Sequence, residues 1–169
     1  MEVYRIEGEN APAWLYKAYD YVRMDAFVFG QNIPLEMEFG HDEPVETLEA
    51  VVLTEDHKPI AGCRITYPRD DIGKIGRVCV IRDRQRSGVG HILIEEAEKW
   101  IREKGYRHIV INSQDRAAAF YKKCGYYLVP DVDPEIYENH PPRMQNEEEK
   151  QKHRAEMGFS CVLVEKYLD

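Results

Sequence analysis

The 169-residue chain predicts an α/β domain: a mixed β-sheet with helices on its faces. Three observations carry that prediction. Apolar, β-branched runs of strand length come first, near residues 48–53, 60–67 and 75–81. After them the order becomes β–α–β–α–β–β, the alternation that lays helices against a sheet. Val89 to Lys104 carries an apolar stripe at helical spacing (Val89, Leu93, Ala97, Trp100, Ile101), with Glu95, Glu96, Glu98, Lys99 and Arg102 elsewhere on the wheel. All 169 residues are read as one domain, which is enough chain for a sizeable core.

Taken in order, Ala11 to Phe29 reads as one or two helices ending near Gly30, with Trp14, Leu15, Ala18, Val22 and Ala26 at helical spacing and Pro34 stopping continuation. Leu35 to Pro44 is an acidic, turn-like stretch holding Glu36, Glu38, His41, Asp42 and Glu43. Leu48–Leu53 and Ile60–Tyr67 read as a hairpin about the turn Glu55–Pro59, and Ile75–Ile81 as a third strand. Arg82–Gly90 is a polar loop, Val89–Lys104 a helix stopped by Gly105, Arg107–Asn112 a strand, Asp115–Lys123 a helix, and Tyr126–Val129 a strand. Asp131–Met157 breaks the rhythm with Pro134, Pro141 and Pro142, and reads as an inserted loop or lid with room for one exposed helix. Phe159–Tyr167 is the final strand.

Charge narrows the function classes. Lys and Arg number 23 against 31 Asp and Glu, a formal net charge of −8, which argues against general binding to nucleic acid or anionic membranes. No apolar run approaches the roughly 20 residues of a membrane helix, and the first residues lack the pattern of a signal peptide. The four cysteines, Cys63, Cys79, Cys124 and Cys161, form no CxxC pair, and the histidines no HExxH. The expectation is a cytoplasmic protein with buried or idle thiols and no metal.

The sharpest chemical signal is Gln85-Arg86-Ser87-Gly88-Val89-Gly90, between a β-branched strand and an amphipathic helix. Glycines there let the backbone approach a ligand closely. The first helical turn leaves amides without internal acceptors, at the positive end of the helix dipole, so the loop can cradle a pyrophosphate. Arg82, Arg84 and Arg86 place positive charge beside it. The bland alternative is a tight strand-to-helix turn. No Gly-Lys-Ser/Thr follows, which excludes a Walker loop, and Leu93 stands where a dinucleotide fingerprint would have its third glycine.

Gln85-x-x-Gly88-x-Gly90 resembles the acyl-CoA pyrophosphate motif of the GNAT N-acetyltransferase superfamily. Val78-Cys79-Val80 is similar to that family's central strand, and Gln114 through Tyr126 to its second signature. The resemblance covers roughly Leu48 to Val129, with a looser likeness to a bacterial branch before it. It implies the GNAT fold, a mixed sheet with splayed central strands, and acetyl-CoA as co-substrate. It assigns the pantetheine arm to the main chain of Val78, Cys79 and Val80. It assigns the pyrophosphate to Gln85 and to Arg86, Ser87, Gly88, Val89, Gly90 and His91, and a cofactor contact to Gln114. Tyr121 matches the tyrosine near the thioester sulfur, where a phenol of pKa about 10 suits a departing thiolate of about 8.5.

Many members carry a Glu on the central strand to take the amine's proton. Here that position is Gly76. A base must come from elsewhere or through water, with Glu38, His41 and Asp42 as candidates, and the same carboxylates would attract a cationic amine. The resulting expectation is transfer of an acetyl group to a small-molecule or peptide amine by direct attack. The oxyanion would be held by a main-chain amide near Val80, Tyr121 would act as acid, and a homodimer is one arrangement common in the family. The alternatives are a non-catalytic acyl-CoA-binding or regulatory module and a structural protein with a chance glycine turn.

Overall fold

Each apolar run read as a strand forms one, and most extend beyond the run that marks them. The computed structural model describes residues 1–40, 42–129 and 147–169. Two units divide them: residues 1–66 with 75–104, and residues 67–74 with 105–169. β3 (Lys58–Arg69) and β4 (Ile72–Val80) form a hairpin whose base belongs to the first unit and whose tip belongs to the second. Strand order is β1-β2-β3-β4 in the first unit, and from the tip of β4 it continues β5-β7-β6 in the second. The helical crossover from β4 through α3 to β5 is the connection that parallel neighbours require, so the seven strands form a mixed sheet.

In the first unit, β1 (Glu2–Glu7) pairs antiparallel with β2 (Glu49–Glu55), and β2 with β3. Asp56 and His57 both take left-handed φ (51° and 65°), the geometry of a two-residue hairpin turn matched to strand twist. Ala50 to Leu53 are fully buried, which explains why β2 reads as a continuous apolar run: both its faces are covered. α1 (Ala13–Arg23) packs Leu15, Ala18 and Tyr19 against Ile6, Ala50 and Val52. α3 (Val89–Glu103) also lies on β2, with Leu93, Ile94, Ala97, Trp100 and Ile101 buried as its stripe predicts. Arg5 and Lys104 cover the Trp100 ring at 5.0 and 5.2 Å.

Three features depart from the expectations. β1 carried no signal because Ile6 is its one buried residue. The α1 stripe is rotated: Trp14 is 48% exposed, edge-on to Tyr4 at 5.0 Å, while Tyr19 and Arg23 are buried. The acidic stretch is not all turn, since Leu35–Phe39 forms a short helix, α2, after a π-helical segment Met24–Phe29.

In the second unit β5 (His108–Gln114) pairs antiparallel with β7 (Cys161–Tyr167), and β6 (Tyr127–Leu128) with β7. Ile72, Val110, Leu163 and Val129 pack together there. α4 (Ala118–Lys123) follows a 3-10 turn at Asp115–Ala117. Of the segment read as an insertion, 130–146 lies outside the described residues. Glu147–Met157 forms the exposed helix α5, tied back by Arg154, which donates to Asp115 (3.2 Å) and Ser160 (3.0 Å).

Candidate active site

β4 ends where the Ile81 amide donates to the carbonyl of Ile60 (2.9 Å), and the chain then enters the glycine loop. Two of its three arginines are structural. Arg82 is tied to Asp25 of the π-helical segment through its main-chain amide (2.8 Å) and its guanidinium (3.1 Å). Arg84 pairs with Glu55 at 2.8 Å. Of the positive charge expected for a phosphate, only the exposed Arg86 stays unpaired among the described residues.

Gln85 turns its amide back to the Val80 carbonyl (3.1 Å), clamping the loop onto the end of β4, and the Ser87 hydroxyl donates to the Arg84 carbonyl. Arg86 and Gly88 take left-handed φ of 62° and 87°. Their reversal of the main chain bends the loop around its own N–H groups. Val89, Gly90 and His91 form the first turn of α3, which has neither a side-chain cap nor an acidic residue there. The positive end of the helix dipole therefore lies at this turn with no side chain capping it.

Upstream on β4, Arg77 holds φ at 50° within a strand, a sparsely populated conformation that persists where surroundings enforce it. Its Nε sits 3.2 Å from Glu38 Oε1 but off the line of a hydrogen bond. Arg23, 1% exposed, donates to Glu38 Oε1 (2.9 Å), the Glu38 carbonyl (2.8 Å), Asp42 Oδ2 (3.0 Å) and Asp42 Oδ1 (2.6 Å). It also lies over the rings of Tyr19 and Phe39 at 5.0 and 4.4 Å.

Glu38 is therefore buried, not a solvated turn residue. Burial raises its pKa, opposed by Arg77 and Arg23. Its Oε2 accepts no hydrogen bond among the described residues. Arg64 lies along β4, its Nε 3.8 Å from where a Gly76 Cβ would stand. The expected anionic patch for a cationic amine is thus neutralised by arginines. His41 lies outside the described residues.

Val78 and Val80 are half-buried, while Cys79 is buried and directs its thiol to the Gly62 carbonyl at 3.5 Å. In the second unit Gln114 closes β5 and accepts from Arg116 Nε (2.8 Å). Tyr121 is 6% exposed on α4, edge-on to Phe120 and Tyr126 at 5.1 and 6.1 Å. The sequence reading missed Arg23, Arg64 and Arg77. The available signal was Arg23 itself, a charged side chain on the buried face of an apolar stripe, which demands a carboxylate partner.

A profile described as the acetyltransferase (GNAT) family matches residues 10–126. The chain is 36% identical over 109 residues to YjcF of Bacillus subtilis, named as an uncharacterized N-acetyltransferase, covering 64% of this chain and 76% of that one. A Lactobacillus plantarum protein assigned as an N-acetyltransferase shares the fold over the whole of both chains, with a TM-score of 0.75 and 24% identity. The catalytic domain of the Tetrahymena GCN5 histone acetyltransferase, solved with coenzyme A, does so with a TM-score of 0.64 and 13% identity, covering 99% of this chain and 93% of that one. Among the described residues no helix is long and apolar enough to cross a membrane, and no group of three or more His, Cys, Asp or Glu could hold a metal ion.

Proposed function

This chain belongs to the acetyltransferase (GNAT) family, and from that premise we propose that it moves an acetyl group from acetyl-CoA to a primary amine by direct attack. The observation that carries the reading is the loop: left-handed Arg86 and Gly88, clamped by Gln85 to Val80, opening onto an uncapped helix. That arrangement suits a pyrophosphate, with Arg86 supplying charge and the Val78–Val80 main chain receiving the pantetheine arm. The family match runs from the first unit into the second, which supports reading the two as one catalytic domain. The free thiols support a reducing, cytoplasmic setting.

The amine arrives as an ammonium and gives one proton to Glu38, whose raised pKa and free Oε2 suit a base. Its nitrogen attacks the thioester carbon, and an amide near Val80 holds the oxyanion. The C–S bond then breaks, the nitrogen sheds its second proton to solvent, and Tyr121 protonates the thiolate. The products are an amide and free coenzyme A, and the proton on Glu38 returns to solvent while Tyr121 is reprotonated.

Acetyl-CoA consumption over a mixed amine panel, with Tyr121→Phe as control, tests this. Tyr121→Phe is expected to lose turnover while keeping coenzyme A affinity. No thermal shift with acetyl-CoA, where mass action gives several degrees at saturation, would refute the site. A second reading, a non-catalytic acyl-CoA-binding module, is favoured by Gly76 standing where a base is common. It predicts the thermal shift without turnover on any amine.

A further inference from the structure

Three arginines crowd one corner of the first unit. Arg23, Arg64 and Arg77 meet there with Glu38 and Asp42, and with the 59% exposed Asp20 at the rim, 3.7 Å from Arg23. Arg23 bonds a Glu38 carboxylate oxygen, the Glu38 carbonyl and both Asp42 oxygens. Arg64, its side chain 19% exposed, is left with Asp42 Oδ1 at 4.0 Å, beyond hydrogen-bond reach. Arg77 Nε and the Tyr19 hydroxyl are buried with no hydrogen-bond partner among the described residues. Tyr19 feels the charges of Arg23 and Arg64, and Arg64 those of Arg23 and Arg77. Buried polar groups are normally satisfied, so unmet donors gathered in one place imply a missing acceptor.

What fits them is an anion with several lone pairs in a plane, the shape a guanidinium fork receives from a carboxylate. Its place in the chain matters. Arg77 directly precedes the Val78–Val80 main chain and lies against Glu38. We propose that Arg64 and Arg77 bind a carboxylate carried by the acceptor, so that the substrate is a small amine of the amino-acid type. This rests on the acetyl-transfer reading above. The arginines would hold the carboxylate and leave the amine to Glu38, which also explains why an acidic chain gathers three guanidiniums around the buried Glu38 and the half-exposed Asp42.

The test pairs α-amino acids with their α-carboxamides, adds aminomethylphosphonate and spermidine, and uses wild type, Arg64→Gln and Arg64→Lys. The wild type is expected to prefer carboxylates over carboxamides by about tenfold or more in kcat/KM, the order of discrimination of a charge-assisted pair. Arg64→Gln is expected to raise KM for the carboxylates by a similar factor, with kcat less affected and a smaller rise in KM for the carboxamides, so that the preference shrinks. Arg64→Lys should restore part of the preference, and acetyl-CoA affinity by calorimetry should stay constant. A merely structural Arg64 would move both substrate classes together, along with the melting temperature. Equal or better turnover of carboxamides, spermidine or the phosphonate overturns the carboxylate and leaves acetyl transfer standing. Absence of both acetyl-CoA binding and turnover overturns both.

Discussion

Arg23 is the residue whose loss the first unit is least able to absorb. Arg23→Met keeps an unbranched apolar stem but removes the guanidinium that lies over Tyr19 and Phe39, with its charge and its four hydrogen bonds. Asp42, 35% exposed, can turn to water; Glu38, 3% exposed, cannot. Removing one partner of a buried pair costs about 3–5 kcal/mol, a large part of the roughly 5–15 kcal/mol that holds a domain together. At about 2–4 °C per kcal/mol for a chain of this size, the melting temperature should fall by about 6–20 °C.

Because the cost comes from Glu38, it should be recoverable. Arg23→Met/Glu38→Gln should be more stable than the sum of its single variants by at least about 1 kcal/mol. The deficit should also depend on pH. Without Arg23, one of the influences holding the Glu38 pKa down is gone and burial raises it further. The folded variant then keeps a proton that the unfolded chain has released. Its stability falls as pH rises from 4.5 through the raised value, and the deficit at pH 5 is smaller than at pH 8. Urea denaturation at both pH values measures it. A cost under about 1 kcal/mol, strict additivity, or a larger deficit at pH 5 would refute the reasoning.

Other expectations follow from single contacts. A Cβ at Gly88 meets nothing within 4 Å, so Gly88→Ala should lose about 1–2 kcal/mol through φ alone. Gly76→Ala, with ordinary contact to Arg64 at 3.8 Å, should stay within about 0.5 kcal/mol of wild type, both by denaturation. Cys63, Cys79 and Cys161 are buried and their thiols pushed upward, Cys63 and Cys161 to about 12. A thiol reagent at pH 8 should therefore react quickly with Cys124 alone and with all four after unfolding. The Ser160 hydroxyl first, and then Arg154, hold Asp115 below its usual 3.8, so its stabilisation is present above that value and lost as pH falls through the lower folded one. Acid titration of stability should show wild type losing ground to Asp115→Asn below about pH 4.

The parts of the fold legible in sequence were those where burial imposes a period. β2 read clearly because both its faces are covered, and α3 because one whole stripe is. β1 stayed invisible because an edge strand with Ile6 as its one buried residue leaves no pattern. Trp14 was placed inside on hydrophobicity, yet the helix turned Tyr19 and Arg23 inward, since Arg23 has carboxylate partners there and Trp14 has Tyr4 outside. The loop was legible because glycine spacing encodes main-chain conformation directly. The pairing of Arg82 with Asp25 and of Arg84 with Glu55 was not, because those contacts span 57 and 29 residues of chain and nothing local specifies them.

Glu38 joins these threads, since it was read as a base on sequence and is found inside an arginine cluster. The two roles make different demands. As a tether it needs only an acceptor for Arg23, which Gln supplies. As a base it needs a carboxylate that takes a proton at Oε2. Glu38→Gln keeps the Oε1 acceptor, so its stability should change by about 1 kcal/mol, the order of one hydrogen bond, while kcat falls by about a hundredfold, the lower range for removing a general base. The base must be unprotonated to act, so wild-type kcat should rise with pH through the Glu38 pKa, its midpoint above the ordinary 4.5, and that limb should vanish in the variant. Turnover within about threefold of wild type with the limb intact would assign the proton transfer to water or another group and leave Glu38 as the anchor of the arginines alone.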